Sequence, residues 1–155
     1  MLIWKSVAAL PEFAFRRVFL QGDYKDPPIL LGPQVKDGVP GYSLVQPFHR
    51  SDPGSSTILV NRGFITSTRA TAIREGRERP PVAEGDSEKG GDVVVEGMLS
   101  KKFDTGRRRW QPDNEPEKNQ WFWKDVEGMA DWCGVDRGVQ PVLVDAIDCT
   151  CPSLK

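Results

Sequence analysis

PGYSLVQPFHRSDPGSSTILVNRGFI, residues 40–65, is the stretch around which the rest of the chain has to arrange itself. Two apolar runs, Tyr42–Phe48 and Thr57–Ile65, flank a short segment of Ser, Asp, Pro and Gly. That is the pattern of two strands joined by an exposed loop. The connection from His49 to Ser56 is longer than a two-residue hairpin turn, so turn type does not set the register. A lone hairpin is marginal in water and needs more strands, or a helix, against its apolar face. The flanking sequence must supply that cover.

On the N-terminal side, FAFRRVFLQGDY at Phe13–Tyr24 reads as a strand. Val18, Leu20 and Tyr24 fall on one face and Arg17, Phe19 and Asp23 on the other, with a twist or bulge expected near Gly22. Lys25–Pro28 reads as a turn and Ile29–Leu31 as a short strand ended by Gly32-Pro33. The following PQVKDGVPG reads as loop, with turn formers at Asp37-Gly38 and Pro40-Gly41. On the C-terminal side, Thr68–Arg79 predicts a short exposed helix capped by Ser67 or Thr68 and ended near Gly76. Its sparse apolar face, Ala72 and Ile73, implies loose attachment. Pro80–Gly91 reads as a polar surface excursion, Asp92–Leu99 as a strand, and residues 103–120 as a long polar loop. Asp125 then caps a helix over VEGMADWCG. Val126, Met129, Ala130 and Cys133 share one face of it, and Gly134 stops it. Gln140–Ile147 is the last strand.

The predicted order is therefore β-β-β-β-α-β-α-β, with most connections too short for parallel crossovers. The fold class is mainly β with two short helices (α+β), built on an antiparallel, curled or barrel-like sheet; a mixed sandwich is the alternative. At 155 residues the chain fits one domain. A formal net charge of −1 supplies no global positive field to gather nucleic acid. Three cysteines, Cys133, Cys149 and Cys151, make no disulfide framework. No signal peptide is recognisable, no apolar run is long enough to span a bilayer, and both ends read as cut.

Common catalytic constellations are missing. His49 is the only histidine, and it reads as a polar loop residue. There is no nucleophile elbow, phosphate-binding loop or dinucleotide fingerprint, and no group has an evident nucleophile–base partner, so the expectation is that the domain is not an enzyme. Cys149-x-Cys151 has the donor chemistry for a soft metal such as Cu(I), but the spacing is common and lies at a terminus. Arg107, Arg108 and Arg109 beside Trp110 form a local basic patch that reads as a solvated loop or a contact for anionic headgroups or haem propionates, ahead of a phosphate-binding, base-stacking patch. Trp121, Phe122 and Trp123 cannot all face one interior if extended, so at least one ring belongs at the domain edge, either packing there or meeting a partner, lipid or cofactor.

The ordered set FRRVFLQGDY (Phe15–Tyr24), LLGPQVKDGVPGYSLVQPF (Leu30–Phe48), ILVNRGFI (Ile58–Ile65), VVVEGML (Val93–Leu99), WQPDNEPEKNQWFWKDVEGMA (Trp110–Ala130) and PVLVDA (Pro141–Ala146) resembles the SURF1/Shy1 family of cytochrome c oxidase assembly factors. The resemblance implies the domain that lies between two transmembrane helices, facing the intermembrane space from the mitochondrial inner membrane. Residues 1–12 would be a truncated linker after one helix, 13–148 the domain, and 149–155 a truncated tail before the other. It implies a non-enzymatic role in early oxidase assembly, supporting haem a insertion or stabilising the catalytic subunit. Partners would be that subunit, other assembly factors and the membrane, with no nucleic acid. The alternative is a chaperone domain that binds haem or copper directly. Haem a would be a ligand of the full-length protein rather than a cofactor held by this domain, since His49 does not match a haem-contacting histidine.

Residues and resemblance together single out two groups. Asn61, Arg62 and Gly63 end a central strand, with Gly63 allowing close approach or an irregular backbone angle and Arg62 anchoring a carboxylate. Asn114 and Asn119 would tie down the long loop through bonds to backbone, with Pro112 and Pro116 limiting its freedom. The loop would then present Trp121, Phe122 and Trp123 to the membrane or to an oxidase subunit.

Overall fold

In the computed structural model, the two runs quoted first are β3 (Val39–Arg50) and β4 (Thr57–Thr66), paired antiparallel. The structure describes residues 16–51, 56–81, 93–100, 107–134 and 138–148. The other elements are β1 (Arg17–Tyr24), β2 (Ile29–Lys36), α1 (Ser67–Arg74), β5 (Val93–Leu99), a 3-10 turn (Pro116–Lys118), α2 (Val126–Gly134) and β6 (Val139–Asp148). The order of strands and helices is the one expected. The readings of residues 1–12 and 149–155, the Cys149-x-Cys151 pair and most of the 80–91 excursion lie outside the described residues.

One six-stranded sheet runs β1-β5-β6-β4-β3-β2, and a further β1–β3 pairing closes it into a ring that is not a true barrel. Pairing is antiparallel except between β4 and β6. Closure happens at Gly22, which pairs with Val93 of β5 and with Arg50 of β3. A Cβ there would lie 1.9 Å from the His49 carbonyl oxygen, so only glycine lets the two backbones meet. The irregularity expected near this residue is the place where β1 passes from one partner strand to another.

Three apolar clusters explain why β4 reads as a continuous apolar run. Val18, Leu20, Phe48, Ile58, Val60, Val95 and Val144 belong to the cluster contributed by the strands of the ring. Leu59, one residue out of phase, joins Ile29, Val45 and Leu143 beneath Val126, Met129, Ala130 and Cys133 of α2. Leu30, Leu44 and Ile65 pack against Ala70 and Ile73 of α1. β4 is thus buried on both faces, and each of its large side chains contributes roughly 1.5–3 kcal/mol of transfer free energy.

Four local readings are corrected. Residues 33–41 are not loop: β2 runs on to Lys36 through a register shift between Leu31 and Gln34, and β3 begins at Val39. Gly32-Pro33 falls at that irregularity on an outer strand, where a missing N–H is tolerated. Asp37 and Gly38 both have positive φ, 51° and 77°, and make a tight hairpin turn, whereas Pro40-Gly41 is strand. Helix α1 starts at Ser67 with Thr66 as its cap (Thr66 Oγ1 accepts from Arg69 N), and it ends at Arg74. It is not loosely attached, because Ala70 is fully buried and its small side chain brings the helix close to the sheet. His49 lies within β3, its Nδ1 3.1 Å from Thr57 Oγ1, and not in a loop.

The closure makes Gly22→Val a severe substitution. Urea unfolding should show it destabilised by about 2 kcal/mol or more through forced separation of β1 from β3, whereas Gly76→Asn, in open space at the end of α1, should change stability by less than about 1 kcal/mol.

Candidate functional site

The long loop is held against the outer edge of β2 by side chains that imitate a neighbouring strand. Asn119, in the left-handed conformation at φ 52°, accepts from Leu30 N through Oδ1 at 3.3 Å and donates from Nδ2 to the Pro28 carbonyl at 2.9 Å. Gly32 N donates to the Trp121 carbonyl at 2.8 Å. Asn114 does the same job within the loop: Oδ1 accepts from Phe122 N (2.7 Å) and Trp123 N (3.2 Å), and Nδ2 donates to the Trp123 carbonyl (3.2 Å). The Arg107–Asp113 ion pair adds little by comparison, since Asp113 is 88% exposed and such pairs contribute at most about 1 kcal/mol. Lys118 pairs with Glu115; that hydrogen bond, then the Glu115 charge, raises the ammonium's pKa above its ordinary value, on an exposed side chain.

Held this way, the aromatic run divides. Trp121 is 1% exposed and packs edge-on to Trp132 with ring centroids 6.0 Å apart, under α2. Phe122 and Trp123 are half-buried, and Arg107 lies over the Trp123 ring at 4.8 Å. Trp110 is 75% exposed. Arg108 and Arg109 are also exposed.

Asn61, Arg62 and Gly63 form a β-bulge. Leu44 faces Gly63 and Val45 faces Asn61, leaving Arg62 as the extra residue. Gly63 has φ 109°, the irregular angle expected of it, and its N–H donates to Asn61 Oδ1 at 3.0 Å. The bulge turns Arg62 inward, where it is 3% exposed. Arg62 Nη1 donates to Gln46 Oε1 at 2.6 Å, and the guanidinium sits 4.2 Å from the Tyr24 ring centroid.

Asn61 instead reaches the outer face, where Nδ2 donates to Asp145 Oδ1 at 3.0 Å. Both lie in a cleft of about 530 Å³ with Leu31, Gln34, Ser43 and Lys124. Arg108, Trp110, Gln111, Phe122 and Trp123 of the loop line the same cleft. The volume is within the roughly 300–1,000 Å³ of small-ligand sites. The two groups singled out from sequence thus meet at one place through Asn61, while Arg62 lines a different, smaller pocket with Tyr24 and Gln46. Asp145 and Lys124 were missed. The signal for Asp145 was a single carboxylate inside the apolar strand VLVDAI. His49 and Cys133 line a separate cavity. Among the described residues no group of three or more His, Cys, Asp or Glu could hold a metal ion, and no helix is long and apolar enough to cross a membrane.

Asn114→Ala should lower stability by roughly 1–3 kcal/mol by leaving the Phe122 and Trp123 N–H groups without their acceptor. Asn114→Asp keeps that acceptor and should recover part of the loss. Chemical denaturation checks both, and near-ultraviolet circular dichroism should report loosened tryptophans in the alanine variant only.

The sequence pattern of the SURF1 family matches residues 2–152. The chain is 31% identical to a SURF1-like protein of Dictyostelium discoideum, over 92% of this chain and 56% of that protein. It is 32% identical to a SURF1-like protein of Monosiga brevicollis, over 96% of this chain and 58% of the relative. It is 36% identical to Surfeit locus protein 1 of Mus musculus, over 68% of this chain and 29% of that protein. The chain therefore spans somewhat more than half the length of the first two relatives. With the family pattern covering nearly every residue, the chain belongs to the SURF1 family.

Proposed function

We propose that this chain is the assembly domain of a mitochondrial inner-membrane protein, that it faces the intermembrane space, and that it acts without catalysing a reaction. Its task is to support haem a insertion into the oxidase catalytic subunit, or to stabilise that subunit early in assembly. The observation that carries the reading is the family match over residues 2–152. The site is consistent with a surface that binds: the cleft combines aromatic walls, amide side chains and one carboxylate, and rigid rings give large contact area at low ordering cost. Haem a is cargo in this scheme, and the catalytic subunit and other assembly factors are the partners. The loop bearing Arg107, Arg108, Arg109 and Trp110 is the part of the domain that meets them.

The test is complementation. The full reading frame containing this chain, expressed in cells whose own SURF1-family gene is deleted, should restore oxidase activity and the haem a absorbance of isolated membranes. It should also co-purify with the catalytic subunit. Trp110→Ala combined with Arg109→Ala should reduce that co-purification at unchanged protein level. A full-length protein that neither binds the subunit nor alters its haem content would refute the proposal.

A further inference from the structure

The cleft holds one charged group that the rest of the described molecule engages only in part, and one whose charged end it leaves unengaged. Asp145 Oδ1 accepts from Asn61, and among the described residues no hydrogen bond or ion pair engages the other carboxylate oxygen. Arg108 uses its backbone N–H, which donates to Gln111 Oε1 at 2.8 Å, while its exposed guanidinium has no acceptor among the described residues. Lys124, the other cation in the cleft, donates to Ser100 Oγ at 2.7 Å. Three rings, Trp110, Phe122 and Trp123, line the same space.

A carboxylate among ring faces attracts a cation, and a guanidinium at an exposed rim attracts an anion. The kind of cation follows from the walls of the cleft. Trp110 and Phe122 line it beside Trp123, whose ring already lies under Arg107, and a quaternary ammonium is the cation best served by aromatic faces. We propose that the cleft binds a phosphocholine group, its trimethylammonium against Asp145 and the rings and its phosphate against Arg108. The source is the headgroup of phosphatidylcholine at a membrane surface, because an exposed Trp110 beside Arg108 and Arg109 has the composition of an interfacial contact. Only this choice of source rests on the membrane-facing placement proposed above; the binding chemistry does not.

The 155-residue chain is titrated with soluble phosphocholine, phosphoethanolamine and inorganic phosphate, with tryptophan fluorescence as the readout. Phosphocholine should give a saturable change, and the other two should bind about tenfold more weakly or worse. Asp145→Asn keeps the acceptor for Asn61, and Arg108→Gln alters an exposed rim, so both should melt like the parent while binding about tenfold more weakly. The chain should also sediment with vesicles of phosphatidylcholine, and both variants should lose this. Phosphate binding as well as phosphocholine, or an Asp145→Asn variant that binds like the parent, overturns the site. Phosphocholine binding without sedimentation on phosphatidylcholine vesicles overturns the lipid source. None of these outcomes depends on oxidase assembly, which complementation tests separately.

Discussion

An outer strand must satisfy its unpaired backbone groups, and here that requirement falls on β2. The ring leaves β2 outside its closure, with Leu30 and Gly32 directing N–H groups away from β3. Asn119 and the Trp121 carbonyl receive them, so the loop is a substitute strand rather than an appendage. Fixing Trp121 in this way sends its ring under α2. The next residue then points elsewhere, and Phe122 and Trp123 form the wall of the cleft. The site exists because the sheet edge had to be covered.

What could be read in the sequence follows the reach of each physical signal. The apolar runs of β3 and β4 and the heptad-like face of α2 were plain because burial is periodic along the chain. β2 beyond Leu31 was hidden by Pro33, which breaks strands in general and is tolerated on an outer strand with a register shift, and the start of β3 was hidden by Pro40 and Gly41. The Asp37-Gly38 signal for a tight turn was present but submerged among other turn formers. Helix α1 was undervalued because alanine carries little hydrophobic weight, although Ala70 lies fully buried. The bulge at Arg62 depends on register across two strands, and sequence shows only the glycine that permits it.

The residues that make the family resemblance specific divide by direction. Gly63, Asn114, Asn119 and Trp121 point into the protein and hold backbone or core in place. Trp110 points outward, next to the exposed Arg108 and Arg109 that precede the motif, and Asn61, Phe122 and Trp123 lie between the two groups, touching both scaffold and cleft. A motif dense in asparagine, proline and tryptophan is dense because two demands, bracing a loop and offering rings, fall on the same dozen or so positions.

The place of β6 has a consequence for how the chain acquires its shape. β6 comes last in sequence yet lies between β5 and β4, parallel to β4 and joined to it across the whole span that carries α1, β5 and α2. Until it arrives, β4 lacks a neighbour on one side and β5 has only β1, so the ring cannot close. Such long-range pairing is slow to form and leaves sheet edges open in the interim. In a chain that emerges amino-terminus first, the ring therefore closes only once β6 is free to pair.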